Sequence, residues 1–372
     1  MTKEEIFSYN KHIPTPPETP YRFGVTGLNH GHIWGMCSGL LNAGAKMTHI
    51  YEPDEKLLAD FLKKYPSVTV CESLDELLAV PELELIATAA IPGDRAGIEI
   101  AAMRAGKDVF ADKAPLITLE QLAEVKAVSK ETGKRLFVCY SEFVMNEAAL
   151  FAKQVIERGI IGKVAHIDIF APHRLNAPSR PEWFFDRERT SGILTDIGSH
   201  QFQQFLEYAG TNSAKVTSAR GANYFNKQYP GLDDFGDATL TADNGITGYV
   251  RIDWMSPSGI QTWGDGRVII LGEKGYIELR KNCNIGSPEK VTNTVFVCTD
   301  DGVFTESVTG KVGIPFFTNL IKDSRCGTED SMSVEQAYNA IELAITAQNI
   351  ALLKVRSASF PNLCFRVKSL NR

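Results

Sequence analysis

The 372-residue sequence has no stretch approaching the roughly 20 consecutive apolar residues of a membrane-spanning helix, so no span is expected. Its first twenty residues, MTKEEIFSYNKHIPTPPETP, carry acids, a lysine and four prolines but lack the apolar segment of a signal peptide, and they read as an irregular surface arm outside any core. The seven cysteines (37, 71, 139, 283, 298, 326 and 364) are odd in number and scattered, with no C-x-x-C. That pattern argues against a disulfide framework and against a zinc knuckle. Cys139, inside the apolar run Leu136–Tyr140, reads as a buried reduced thiol. Basic excess is also missing: 39 Lys+Arg against 45 Asp+Glu give a net charge of −6, which leaves no footprint for nucleic acid or a membrane surface. These absences predict a cytoplasmic protein whose partner is a small molecule.

What is present is a regular alternation of strand and helix. A strand at Tyr21–Thr26 closes on Gly27, and the stripe Ile33, Met36, Cys37, Leu40, Leu41 then has helical spacing. Strands follow at Met47–Tyr51, Val68–Cys71, Leu83–Thr88, Asp108–Ala111 and Arg135–Tyr140, with helices between them. Ser73 with Glu76 and Thr118 with Gln121 have capping-box spacing. Such alternation predicts a doubly wound parallel sheet, a Rossmann domain over residues 21–142.

After Tyr140 the pattern changes. A helix at Glu147–Arg158 precedes β-rich sequence, with hairpin turns expected at Asp243-Asn244-Gly245, Gly272–Gly275 and Asp300-Asp301-Gly302. Residues 143–332 are therefore expected to form an α/β substrate domain around a large open, mainly antiparallel sheet. The uncovered face of that sheet suggests a homodimer or homotetramer. A helix over 333–356, with Ser333 and Gln336 at capping spacing, is expected to pack back, ahead of a tail at 357–372.

The first strand-turn-helix reads Gly27-Leu28-Asn29-His30-Gly31-His32, an imperfect G-x-G-x-x-G with Asn29 and His32 at the second and third glycine positions. Its context is that of a dinucleotide site, because Glu52 lies at the end of the second strand, 21 residues after Gly31. An acid there accepts hydrogen bonds from the ribose hydroxyls of NAD and repels the 2′-phosphate of NADP. The pyrophosphate belongs on backbone N–H groups near His30–Ile33. Gly27, Asn29, His30, Gly31, His32, Glu52, Thr88 and Lys113 are thus the cofactor candidates, with NAD expected over NADP. His30 and His32, adjacent but one on an expected helix, point apart and lack a third ligand at close spacing, so no metal is expected.

Two further clusters carry possible chemistry. Lys113, in Asp112-Lys113-Ala114-Pro115, follows the fifth strand, at the carboxyl edge where open α/β sheets bind ligands. In Gly192-Ile193-Leu194-Thr195-Asp196-Ile197-Gly198-Ser199-His200, Asp196 and His200 at i, i+4 share a helix face, the arrangement a carboxylate-oriented general base requires. Taken alone, a surface lysine and a capping aspartate explain these residues as well.

Together the two clusters resemble the glucose-fructose oxidoreductase/inositol dehydrogenase/MocA (Gfo/Idh/MocA) family, whose fifth strand ends in Glu/Asp-Lys-Pro and whose second domain carries G-x-x-x-D-x-G-x-H. Ala105–Val109 and Ile161–Val164 also resemble the family, over about residues 21–356. The resemblance implies an oxidoreductase moving a hydride between a nicotinamide and a hydroxyl carbon of a sugar, polyol or cyclitol, with Lys113, Asp196 and His200 as its catalytic set. An NAD-dependent glycoside hydrolase and a non-catalytic dinucleotide sensor are the alternatives it leaves open, retention of all three residues speaking against the sensor. The chain departs from the pattern at Ala114 in the Lys-Pro step, at Gln203 three residues after the histidine, and at Ser141-Glu142-Phe143 after the sixth strand. Glu142, His173, Arg174 and Trp183 are the substrate candidates.

Overall fold

The computed structural model describes residues 1–287 and 290–359, the last six of these as backbone only. Its first sheet contains β1 Arg22–Thr26, β2 Lys46–Tyr51, β3 Thr69–Val70, β4 Leu85–Thr88, β5 Asp108–Asp112 and β6 Leu136–Cys139. All six are parallel and run in the order β3-β2-β1-β4-β5-β6. Every residue of β4, β5 and β6 is buried, because helices cover both faces, and their interiors are apolar although Thr88, Asp108 and Asp112 stand at strand ends. The strand order reverses between β1 and β4, and a ligand crevice forms at the carboxyl ends beside that switch. The Thr118–Gln121 capping box forms in full. At Ser73 only half of it does: the Ser73 hydroxyl accepts from Glu76 N at 3.1 Å, while the Glu76 carboxylate accepts from Glu72 N.

The second sheet holds β7 Val164–Pro172, β8 Ala214–Ala222, β9 Phe235–Ala242, β10 Thr247–Asp253, β11 Arg267–Gly272, β12 Gly275–Arg280, β13 Thr294–Thr299 and β14 Gly302–Ser307. Their order is β14-β13-β12-β11-β7-β10-β9-β8, antiparallel except where β7 and β10 pair in parallel at the centre. The three expected turns join β9 to β10, β11 to β12 and β13 to β14. Ile167, Ile169, Val250, Ile252, Ile270 and Ile277 line the inner face. The helices Glu147–Glu157, Gly198–Ala209 and Val334–Ser359 pack over that side. Residues 357–359 continue the last helix; the rest of the expected tail, 360–372, lies outside the described residues. Six cysteines are free thiols, Cys139 buried among them, and Cys364 lies outside the described residues.

The amino-terminal arm differs from its surface expectation. Thr2 and Glu5 form a capping box for the helix Lys3–Ile6, and Ile6 and Phe7 are buried. The Phe7 ring stacks on Phe151 with centroids 5.4 Å apart, and His12 N donates to Val312 O at 2.8 Å. The arm is thus seated on the second domain before the chain enters β1.

Candidate active site

The loop after β1 is shaped by its glycines. Gly27 has φ +67, and a Cβ there would stand 2.5 Å from Ala90 Cβ, so the turn admits no side chain. A Cβ on Gly31 would meet nothing within 4 Å, which marks open space over the crevice. His30 N donates to Ala89 O, and Leu28 N to the Glu52 carboxylate at 2.7 Å. The N–H groups of Asn29 and Gly31 find no acceptor among the described residues. Two free amides ahead of the helix Ile33–Asn42 suit a pyrophosphate. Buried Glu52, at the end of β2, has the position for a ribose diol, and each of its oxygens keeps a lone pair beyond its bonds to Leu28 N and Asp54 N. The residues present therefore fit a nicotinamide dinucleotide. Thr88, the last residue of β4, is fully buried, and its hydroxyl accepts from Ala90 N at 3.3 Å, which shapes the facing loop.

His30 and His32 precede the helix rather than lying on it, and this changes their geometry. Both rings turn to Asp112: His32 Nδ1 lies 2.8 Å from Oδ1 and His30 Nδ1 3.1 Å from Oδ2, with ring centroids 4.3 Å apart. The sequence expectation that they diverge and lack a nearby acid is corrected, since these three groups have the spacing of metal ligands. The Asp112 carboxylate is also engaged by fully buried Arg95, 3.3 Å from Oδ2. Burial works against the Asp112 charge, but His32, His30 and Arg95 together hold its carboxyl well below the usual range. Burial pushes His30 down to about 4, so its imidazole is neutral at neutral pH. Arg95 also donates to the carbonyls of Ala90, Asp112, Lys113 and Ala114, pinning the segment that presents Lys113.

Lys113, Asp196 and His200 line one cavity of about 300 Å³, together with His30, His32 and Glu142. Lys113 Nζ donates to Asp196 Oδ1 at 2.5 Å. Burial alone would raise the Asp196 carboxyl, yet Lys113 holds it below its ordinary value. The expected Asp196–His200 hydrogen bond does not form. Asp196 ends the helix Ile193–Asp196 and His200 lies in the next helix, Gly198–Ala209, so the aspartate faces the lysine. The His200 ring makes no hydrogen bond among the described residues, and its buried Nδ1 has no partner. Burial drives its imidazole well below the ordinary value; Glu142 opposes this, while Lys113 and His32 add to it.

Of the substrate candidates, Glu142, His173 and Arg174 line the cavity. Glu142 accepts from Lys281 Nζ at 2.8 Å and Gln201 Nε2 at 3.0 Å, and its Oε1, 3.5 Å from His173 Nε2, has no hydrogen-bond partner. Burial opposes the Glu142 charge, but Lys281 and the neighbouring histidines keep it ionised far below the usual range. Arg174 borders the cavity but spends Nη2 on the carbonyls of Pro257, Ser258, Ile260 and Thr262, which ties down that loop. Trp183 does not line the cavity; its neighbour Phe184 does, with Trp254, Trp263 and Arg180. Lys281, Trp254 and Trp263 were missed from the sequence. The alternating pattern of β12 ends just before Lys281, and nothing local distinguishes that lysine from a surface one.

A loop shaped for a dinucleotide beside a cavity lined by a lysine–aspartate pair and a buried histidine is the arrangement of a two-domain dinucleotide-binding protein. The NAD-binding Rossmann-fold description of the GFO/IDH/MocA oxidoreductases matches residues 22–140, and the C-terminal domain of the same family matches residues 150–278. The chain belongs to this family and is an enzyme. A solved structure from Erwinia carotovora atroseptica, named as an oxidoreductase, is 41% identical, with a TM-score of 0.87 over 89% of this chain and 98% of that one. An uncharacterized oxidoreductase of Schizosaccharomyces pombe is 31% identical over 148 residues, 40% of each chain. The chain aligns with less than two thirds of the length of the curated relatives it matches, 40% to 62% for the first four. A levoglucosan dehydrogenase solved with NADH and levoglucosan shares the fold at 18% identity, TM-score 0.75, over 90% of this chain and 98% of that one. Among the described residues no helix is long and apolar enough to cross a membrane.

Proposed function

We propose that the protein is an NAD-dependent dehydrogenase that oxidises a ring or chain hydroxyl of a sugar, polyol or cyclitol. The observation that carries this reading is the shared cavity. Lys113, held by Asp196, and unpartnered neutral His200 face one space beside the dinucleotide loop. A neutral imidazole with no competing hydrogen bond is ready to take the proton of a substrate hydroxyl. The ammonium of Lys113 stabilises the alkoxide that develops, and Asp196 fixes its position. The bound nicotinamide supplies the hydride acceptor. Glu142 offers a free carboxylate oxygen to a neighbouring substrate hydroxyl, and the aromatic faces of Phe184, Trp254 and Trp263 suit the apolar side of a sugar ring. The levoglucosan dehydrogenase supports the substrate class at the level of fold.

Glu52 favours NAD, its charge opposing a 2′-phosphate. The outer face of the second sheet, where Tyr276 is 41% and Val303 72% exposed, supports assembly into a homodimer or homotetramer, which light scattering on the purified protein tests. Nicotinamide absorbance with NAD and a panel of sugars, cyclitols and sugar acids tests the activity. Stoichiometric NADH formation with one class supports the reading; no reduction with any of them overturns it.

A further inference from the structure

The catalytic cavity is not closed. It shares Arg174, Arg180 and Trp263 with an adjoining open cleft of about 810 Å³. The inner cavity, at about 300 Å³, lies at the small end of ligand sites, while the cleft beyond lies toward the large end. We infer that the substrate is a glycoside or disaccharide, one ring of which is oxidised in the inner cavity while the remainder lies in this cleft. The inference rests on the dehydrogenase reading above.

The chemistry of the cleft selects the occupant. Its cations are partly engaged by the protein itself. Arg174 donates to a row of loop carbonyls, Thr262 O at 2.8 Å among them, and Lys281 is held by Glu142 at 2.8 Å and Gln204 at 3.0 Å. Arg180, at the junction, lies over Phe184 and Trp254, its guanidinium 4.6 and 5.1 Å from their ring centroids. Unspent hydrogen-bonding capacity includes Arg180, whose only side-chain hydrogen bond among the described residues is from Nε to Leu175 O, and two neutral amides. The side chains of Gln261 and Asn282 make no hydrogen bond within the described residues, and Asn282 Nδ2 is buried without a partner. Each amide can both donate and accept, which matches a sugar hydroxyl. Trp263 is 49% exposed where the two compartments meet, an apolar face placed for a sugar ring passing between them. Asn176 and Asn293, which also line the cleft, hold left-handed backbone at φ 48 and 51, a conformation that clusters at ligand sites.

The test compares matched compounds on the NAD-loaded protein: free hexoses, their methyl glycosides and the corresponding neutral disaccharides, followed by NADH formation and by tryptophan fluorescence titration. The expected result is a kcat/KM at least about tenfold higher for disaccharides than for the free sugars, with the gain in KM. Gln261→Ala and Asn282→Ala should each lose up to about tenfold on disaccharides and stay within about twofold on free sugars, a decade corresponding to ~1.4 kcal/mol. Equal kcat/KM for free sugars and disaccharides overturns the inference, as does an equal loss on both in the variants. If no compound is oxidised, the dehydrogenase reading falls and the titration still decides this one. Tighter binding of disaccharides upholds the two-compartment ligand site without its oxidation step, and equal or absent binding overturns it.

Discussion

Lys113 Nζ and Asp196 Oδ1 lie 2.5 Å apart, and the pair joins the end of β5 to the short helix Ile193–Asp196 of the other domain. The aspartate therefore sets the position of the lysine and not of His200. Asp196→Asn keeps the shape and removes the charge, and we expect kcat to fall by roughly 10²-fold or more, as for loss of a charge-positioning group. NAD affinity, measured by fluorescence titration, should stay within a few-fold of the parent. A variant with parental kcat would remove Asp196 from the mechanism.

His200 governs the acid side of the pH profile. Its folded-state value lies well below 6.5, so the imidazole is already neutral across the physiological range. Activity limited by this base should be flat near neutrality and fall only in acid well below pH 6.5. The same depression makes the unfolded chain bind a proton that the folded chain refuses, so this contribution to stability is lost as pH drops below about 6.5. His200→Ala should lower kcat by ~10²–10⁴-fold with little change in NAD affinity. A kcat/KM profile rising with a midpoint near 6.5 would count against the assignment.

Cofactor choice rests on Glu52. Glu52→Ala removes the carboxylate that accepts from Leu28 N and would face the ribose. The expected outcome is a fall in kcat/KM with NAD and a gain with NADP. Unchanged ratios for both cofactors would show that selection lies elsewhere.

Gly27 is the steric keystone of the same loop. Gly27→Ala combines φ +67 with a 2.5 Å approach to Ala90, so the loop must shift. Dinucleotide binding should weaken by at least tenfold, since the free amides at Asn29 and Gly31 move with it. A parental dissociation constant would refute this.

The arm yields a stability prediction. Phe7→Ala removes a buried ring stacked on Phe151 and is expected to cost about 3–5 kcal/mol in the second domain, read as a lower denaturant midpoint. An unchanged midpoint would show that the arm only rests there.

Much of this was legible in the sequence, for identifiable reasons. β4 and β6 are covered on both faces and so read as near-continuous apolar runs, and the turn at Asp243-Asn244-Gly245 has the chemistry its hairpin demands. Elsewhere the local pattern was silent or misleading. The helix Phe316–Cys326 begins after Pro315 without a side-chain cap and was not foreseen. Placing His30 and His32 on the helix sent their rings apart, whereas the turn before it brings both onto Asp112. The Asp196–His200 spacing assumed one continuous helix. The break at Ile197 and a lysine 83 residues earlier decided the pairing instead. Lys281 meets Glu142 across 139 residues, a contact with no local signature.

The seating of the arm also bears on how the molecule can move. The chain begins on the second domain, crosses to form the Rossmann sheet, and crosses back after β6. Its last helix then lies against β8 of one sheet and against β6 and the helix Leu119–Thr132 of the other. Two domains joined by one linker can swing about it as a hinge. Here each domain is clasped by the other at several separated places, the helix Phe316–Cys326 against Phe110 among them, so a wide swing would also have to strip Ile6 and Phe7 from their seat. Traffic in and out of the inner cavity therefore falls to its polar mouth rather than to a parting of the domains.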